Sequence, residues 1–482
     1  MSDHLPSGRR RTRFLARIPR RFLALFTLGL TACVAGDGAD PAPELVSGDL
    51  VLRNVNVIPM DQEEVLSGQN VVIRGNQILW MGVAAVGEPA PEGIQMVDAT
   101  GRYLIPGLSE FHAHVGSGAG AAANPRILEL YALNGVTTAR GMLGHPTHLP
   151  LRDSLNQGLV LGPRYITSGP SFSGSTMTPD EARTRVREQA AAGYDLLKIH
   201  PGLTRETFDA MAETAHEVGI SFSGHVPAEV GLDRALEARY GTIDHLDMVM
   251  EALVHPDATE PPASGGFFGL GLVSWVDRDR IPQVVEAVRE AGVAMVPTQT
   301  LMEFHANDLT GDELAARPEY RYWLPEQVAS WQSLKNSLLA DPDFPSSAHR
   351  AEYIQLRRDI LRSFHEGGVL VLLGSDAPQR WNVPGFAAHR ELHMYVDAGL
   401  SPYEALRTGT LNVASYLGED GTPGSHDWGS GAIRPGARAD LILLEDNPLT
   451  DIQNTLAIAG VVVNGRWISG EERERRLAEL AF

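Results

Sequence analysis

Residues 110–114 read EFHAH, directly after the apolar run YLIPGLS. Side chains two apart on an extended strand share a face, so His112 and His114 point the same way, while Phe111 and Ala113 point the other. By itself such a pair fits either a metal site or two hydrogen-bonded core histidines. Further along, other apolar runs carry polar residues near their ends: Lys198 in DLLKIH, His225 after GISFSG, His245 in TIDHLD and Asp376 in LVLLGSDA. A lone lysine or aspartate buried in such a run is unfavourable without a partner. A divalent cation is an economical partner, and four imidazoles with carboxylate oxygen suit zinc or a similar ion.

Those residues need elements whose ends converge. Strands are predicted at 104–115, 136–142, 163–169, 195–200, 219–226, 242–247, 293–300 and 368–377, with helical stretches such as PDEARTRVREQAAAGY and TRETFDAMAETAHEVG between them. The fold class is therefore α/β, a (β/α)8 TIM barrel over 107–429 whose site lies at the carboxyl ends of the strands. Short alternating runs over 48–106 and 430–470 predict strands from both ends of the chain, assembled into one small β-sandwich. Two long connections, 248–282 and 302–367, leave the sixth and seventh strands and are placed to wall a pocket. Within the first, FFGLGLVSW reads as packing of the inserted loop rather than as cleft lining. EERERRLAEL, near the end, reads as a solvated helix over 471–482.

The first thirty-three residues have a different character. Seven arginines between Arg9 and Arg21 precede the apolar FLALFTLGLTAC, which is too short to span a bilayer and reads as an export signal over 1–33. LTAC, ending at Cys33, is similar to the lipobox of bacterial lipoproteins, and Cys33 is the single cysteine of the chain, so no intramolecular disulfide exists. The expectation is a lipidated Cys33, a flexible tether over 34–47 and a place in the bacterial cell envelope, with membrane contact through that lipid only. RRFLAL also faintly resembles a twin-arginine signal. A net charge of -20 argues against a nucleic-acid surface, which needs a basic footprint. No G-x-S-x-G elbow is present, and GSGAGAAAN has no phosphate-loop lysine.

The order PGLSEFHAHV, GYDLLKIH, GHVP, IDHL and GSDA, followed by LSPYEALRTGTLNVASYLG and GAIRPGARADLILL, resembles the amidohydrolase superfamily, specifically its imidazolonepropionase-like and prolidase-like branch. The resemblance spans about residues 48–470. It implies two zinc ions: His112, His114 and Asp376 on one, His225 and His245 on the other, with Lys198 carboxylated as the bridge. It further implies hydrolysis of a carbon–nitrogen bond in a small molecule such as an amide, an N-acyl amino acid or an X-Pro dipeptide. Water held between two dications loses much of its pKa, a metal polarises the carbonyl, and Asp376 moves the proton to the leaving nitrogen.

Departures from that pattern concern the substrate. Where relatives carry Arg-Asp after the second strand, this chain has Arg140 and Gly141, and no histidine follows the third strand. Candidate substrate contacts are Arg140, His200 and Arg380. His145, His148, His216, His305 and His349 read as surface residues. The alternative is a one-metal cyclic amidase or deaminase, but Ala228 stands where adenosine-deaminase relatives carry a proton-donating glutamate. A non-catalytic ligand-binding lipoprotein is disfavoured because no ligand is lost. The sequence permits a homo-oligomer.

Overall fold

The computed structural model describes residues 41–86, 92–116, 118–259, 265–418 and 431–482. The expected signal, Cys33 and the first part of the tether lie outside the described residues. Among the described residues no helix is long and apolar enough to cross a membrane.

Both ends of the chain build one sheet. It takes β1 (Leu50–Val57), β2 (Leu66–Arg74), β3 (Gln77–Gly82), β4 (Gln95–Asp98) and β5 (Tyr103–Pro106) from the front. The centre supplies β6 (Leu108–Ala113), β7 (Val136–Gly141), β8 (Arg164–Thr167), β9 (Leu196–Ile199), β10 (Ser221–Gly224), β11 (Thr242–Asp244) and β12 (Ala294–Val296), and the far end adds β13 (Leu441–Leu444), β14 (Ile458–Val463) and β15 (Arg466–Ser469). The terminal strands run in the order β15-β14-β13-β5-β1-β2-β3, with β4 on β1, and β13 pairs antiparallel with β5 to join the two ends. One apolar cluster runs from Leu52, Val57 and Ile73 to Leu441, Leu443 and Val462, so strands remote in sequence share a face. By hydrogen bonding all eight strands belong to one sheet.

The central strands form two parallel sheets, β6-β7-β8 and β9-β10-β11-β12, in chain order. Isolated parallel bridges link Ser168 to Leu196, Met295 to Val371 and Ala113 to Ala377. Residues 104–115, read as one strand, divide at Gly107 into β5 of the terminal sheet and β6 of the centre. The expected strand over 368–377 joins its neighbours through the last two of those bridges and through backbone bonds such as Phe111 N–H to Leu373 O and Met295 N–H to Leu370 O. Its Ser375 N–H is taken by the buried Glu110 carboxylate at 2.7 Å rather than by a neighbouring backbone carbonyl, and Asp376 turns into the left-handed region at φ 65.

Helices close around the strands where the sequence signals them. Thr178 caps Pro179–Ala192 with a capping box and Gly193 ends it in a left-handed turn, while Thr204 accepts from Thr207 N to cap Arg205–Val218 and Gly219 ends that helix in the same way. Phe208 and Met211 of the second helix join Leu197, Ile199 and Phe222 in the main core. The last helix, Gly470–Leu480, is not merely solvated: Arg476 pairs with Glu129 at 2.9 Å and Arg473 donates to Leu133 O.

Two buried groups on the helix Phe386–Asp397 make stability depend on pH in opposite senses. Burial pulls His389 from 6.5 to about 4, and burial pushes Glu391 from 4.5 to about 7 although it accepts from Gln299 N and Thr300 N. The lowered base contributes stability that is full above 6.5 and lost as pH falls through about 4; the raised acid contributes stability that is full below 4.5 and lost as pH rises through about 7. Thermal denaturation followed from pH 6 to 8 is expected to show Glu391→Gln losing about 1 kcal/mol less than the parent. Identical slopes in the two proteins would refute this assignment.

Candidate active site

Backbone room comes first. Lys198 sits in β9 with its side chain fully buried, and β10 passes beside it at Gly224, where a Cβ would lie 2.8 Å from Lys198 Cδ. Gly374 serves His112 in the same way, since a Cβ there would meet His112 N at 2.9 Å. The small residues of GHVP and GSDA are therefore what lets the long polar side chains enter.

His112, His114 and Asp376 converge, each offering one ligand atom with all three within 4.8 Å of one another. His114 Nε2 lies 2.5 Å from Asp376 Oδ1, and His112 Nε2 lies 3.7 Å from the same oxygen. His245 lies tilted between two others, its ring 4.6 Å from His112 and 4.5 Å from His225, and its Nδ1 lies 3.9 Å from Asp376 Oδ2. Lys198 Nζ makes no hydrogen bond and has Asp244 Oδ2 at 3.9 Å. Among the described residues the tight donor set is the first three; His225, His245 and Lys198 border it without joining it.

Three imidazoles are oriented alike. His112 Nδ1 faces Asp244 Oδ2 at 2.8 Å, too far off line for a hydrogen bond; His225 Nδ1 meets Asp247 Oδ2 at 2.7 Å; His245 Nδ1 meets Thr298 Oγ1 at 2.8 Å. With Nδ1 hydrogen-bonded in His225 and His245 and turned to the Asp244 carboxylate in His112, each leaves Nε2 for ligation. Burial, reinforced by the Lys198 charge, holds His112 well below the usual imidazole range, and burial with the neighbouring imidazoles does the same for His245. Both rings are therefore neutral at working pH, the form that binds a metal. Burial also pulls the Lys198 amine down, against Asp244 and Asp376. The donor types, their convergence and the unpartnered buried Nζ fit a divalent metal centre.

Backbone strain concentrates at the same place. His245, Thr298 and Asp376 all have positive φ, at 64, 48 and 65. A non-glycine residue held there costs about 1–3 kcal/mol and persists only where the surroundings enforce it. Arg357 supplies part of that enforcement, donating to His245 O at 3.1 Å and Pro297 O at 2.9 Å.

Sequence reasoning missed the supporting groups. Glu110 accepts from Ser375 N and His112 N and, through burial, is pushed up to about 8. Asp247 and Thr298 orient His225 and His245 by hydrogen bonds, and the Asp244 carboxylate faces His112 Nδ1. The three acids were visible in the text, Glu110 two positions before His112, Asp244 adjoining His245 and Asp247 two positions after it; Thr298 carried no signal. Replacing Asp247 with asparagine is expected to lower metal affinity about 10- to 100-fold by releasing the His225 ring. Competition with a colorimetric chelator measures this, and an unchanged affinity would remove His225 from the metal centre.

The centre opens into a cavity of about 950 Å³. His112, His114, His200, His225, Asp376 and Arg380 line it with an apolar wall that includes Ile127, Phe267, Phe268, Leu301 and Trp323. Both long connections thus reach it, the second through Trp323, Leu324 and Gln327. FFGLGLVSW does both jobs: Phe267 and Phe268 face the cavity while Leu270, Leu272 and Val273 enter the core. His200, stacked 5.2 Å from His225, is held near 3 by burial and the Lys198 charge. Arg140 is not on this wall. Its guanidinium is buried over the Phe111 ring, donating to Phe111 O, Thr242 Oγ1 and Asp244 Oδ1, so its charge is spent inside the protein. Phe111 itself lies in a cluster with Leu196, Val296 and Leu372, and the β6–β7 register shifts between Glu110 and Ala113. Of the histidines read as surface, His148 is fully buried on Gly116 O, and His305 is half-buried and stacked on Phe267.

The chain is similar over 441 residues to adenine deaminase 3 of Rhizobium meliloti, at 26% identity, covering 89% of this chain and 60% of that one. The chain thus spans about three-fifths of the length of that relative. Ochratoxinase of Aspergillus niger matches at 23% identity over 92% of this chain and 93% of its own. Among solved structures, a Xaa-Pro dipeptidase with bound methionine in the active site superposes with a TM-score of 0.62 at 20% identity, covering 88% of this chain and 100% of that one, which shows a TIM-barrel-like α/β fold. The model of the amidohydrolase family, a metal-dependent family, matches residues 103–468, and this chain belongs to that family.

Proposed function

We propose that the protein hydrolyses an amide-type carbon–nitrogen bond in a small molecule such as an N-acyl amino acid or an X-Pro dipeptide. The observation that carries this is the convergence of His112, His114 and Asp376 at the inner end of an apolar-walled cavity. These three would hold one divalent ion, and His225 and His245 a second, with zinc favoured by the imidazole-rich donor set and Lys198 carboxylated between the two. Such ions, when bound, supply Lewis-acid polarisation of the carbonyl and acidification of water. Asp376 accepts the proton of the attacking water on its carboxylate and returns it to the leaving nitrogen. Gln379 Nε2, donating to Asp376 Oδ2 at 2.8 Å, holds that carboxylate in place.

The bridges Ser168–Leu196, Met295–Val371 and Ala113–Ala377 support an eight-membered parallel ring, a barrel over 107–429, with the terminal sheet of 48–106 and 430–470 folding over its shared apolar face as a sandwich. The sequence around Cys33 supports export and lipid anchoring in a bacterial envelope. Deamination is the second reading, supported by likeness to the Rhizobium meliloti adenine deaminase; Ala228 weighs against it.

The test is turnover of metal-loaded protein on N-acyl amino acids, X-Pro dipeptides and adenine in parallel, before and after chelation. Amide hydrolysis lost on chelation supports the proposal. Ammonia release from adenine without amide hydrolysis would replace it with the deaminase reading.

A further inference from the structure

Arg380 follows Asp376 by four residues on the turn that Gln379 ties to the Asp376 carboxylate. Arg380 and Trp381 both have positive φ, at 24 and 72, although neither is glycine. The turn is enforced from outside. Trp381 O accepts from Tyr320 Oη at 2.8 Å and from Arg390 Nη1 at 3.0 Å, and the Trp381 ring packs 5.3 Å from Tyr320. Strain of this kind, held by surrounding groups, fixes where a side chain is presented. Here it presents Arg380 to the cavity.

The guanidinium lies over the Phe267 ring at 5.2 Å, and that ring is itself stacked on His305 at 3.7 Å. A guanidinium held near an aromatic face by cation–π attraction keeps N–H groups free to donate. In a chain with 60 acidic and 40 basic residues, Arg380 has no carboxylate within ion-pair distance among the described residues. The other cavity arginine, Arg126, is already committed, donating to Tyr322 O and Leu480 O with the Phe482 ring at 4.2 Å. Beyond Phe267, Phe268 and His225 lies an adjoining cavity of about 730 Å³ that carries Asp247 and Glu251. An anion is repelled from that side and attracted to the other.

We propose that Arg380 is the anion anchor of this cavity and that the substrates carry a carboxylate next to an aromatic or bulky apolar group. This deepens the amidohydrolase reading and rests on it for the bond that is cleaved. The carboxylate meets the Arg380 fork while the apolar group lies along Phe267, Leu301 and Trp323. The opposite part of the substrate is directed toward His225.

The test uses the metal-loaded full chain and two probes without a carbon–nitrogen bond, 3-phenylpropanoate and 3-phenylpropanol, titrated calorimetrically. The parent is expected to bind the carboxylate roughly 10- to 100-fold more tightly than the alcohol. Arg380→Met should erase that preference while leaving the alcohol's affinity unchanged, and Arg380→Lys should restore part of it, because charge returns without the fork. Equal weakening of both probes in Arg380→Met would make the residue a packing element and overturn the anchor. So would a preference that survives the substitution, or no measurable binding of the carboxylate to the parent. Turnover of N-acetyl-L-phenylalanine against N-acetyl-2-phenylethylamine separates the two readings. Arg380-dependent carboxylate binding with no hydrolysis of either would support the anchor and sink the hydrolase. Hydrolysis of both at rates indifferent to Arg380→Met would do the reverse.

Discussion

Asp376→Asn is expected to lower turnover by at least about 10³-fold with the fold intact. Asparagine keeps the side chain's shape and tolerates the positive φ of 65 at this position, so the backbone need not move. What it loses is the negative charge shared by His114 and His112 and the capacity to take a proton. Proton transfer by a positioned group contributes about 10²- to 10⁴-fold, and weaker metal retention adds to that. Steady-state turnover, metal content and a thermal melt made on the same preparation check all three. A loss under about tenfold, with metal retained, would take Asp376 out of the chemistry.

The second large effect is expected at Lys198. Metal analysis of protein purified with bicarbonate and divalent ions should give two ions per chain, falling to one or fewer in Lys198→Met, with activity falling about 100-fold or more. Stability should move the other way. A fully buried amine with no hydrogen bond is unfavourable in the metal-free protein, and methionine of similar length removes that burden. The metal-free variant is therefore expected to melt higher, by the equivalent of about 1–3 kcal/mol. Loss of metal with gain of intrinsic stability marks a functional residue. A single ion that is indifferent to the substitution would make Lys198 structural and redirect substrate screening to cyclic amides and deamination.

Much of this centre was legible as text because metal ligation and strand order are both local signals. A strand fixes which side its residues face, and an apolar run interrupted by one histidine, lysine or aspartate announces a buried polar group wherever it occurs. Hence His112, His114, Lys198, His225, His245 and Asp376 could each be named before any fold was known, and the structure brings the first two and the last into one cluster. The capping residues Thr178 and Thr204 were equally local.

Long-range geometry was not legible. Arg140, an expected substrate contact, turns inward because Thr242 and Asp244 on β11 supply its partners across more than a hundred residues of chain. Within 368–377 the Ser375 N–H leaves the backbone ladder because the buried Glu110 carboxylate, 265 positions away, claims it. Thr298 orients His245 from a left-handed backbone position that no composition or period marks. The sequence by itself determined which residues could hold a metal and that alternating strands and helices would carry them, since both follow from side-chain chemistry and short-range periodicity. Only the tertiary structure decided which polar groups are spent on one another and which stay free to face the cavity, because that depends on which distant side chains the folded backbone brings within hydrogen-bonding reach.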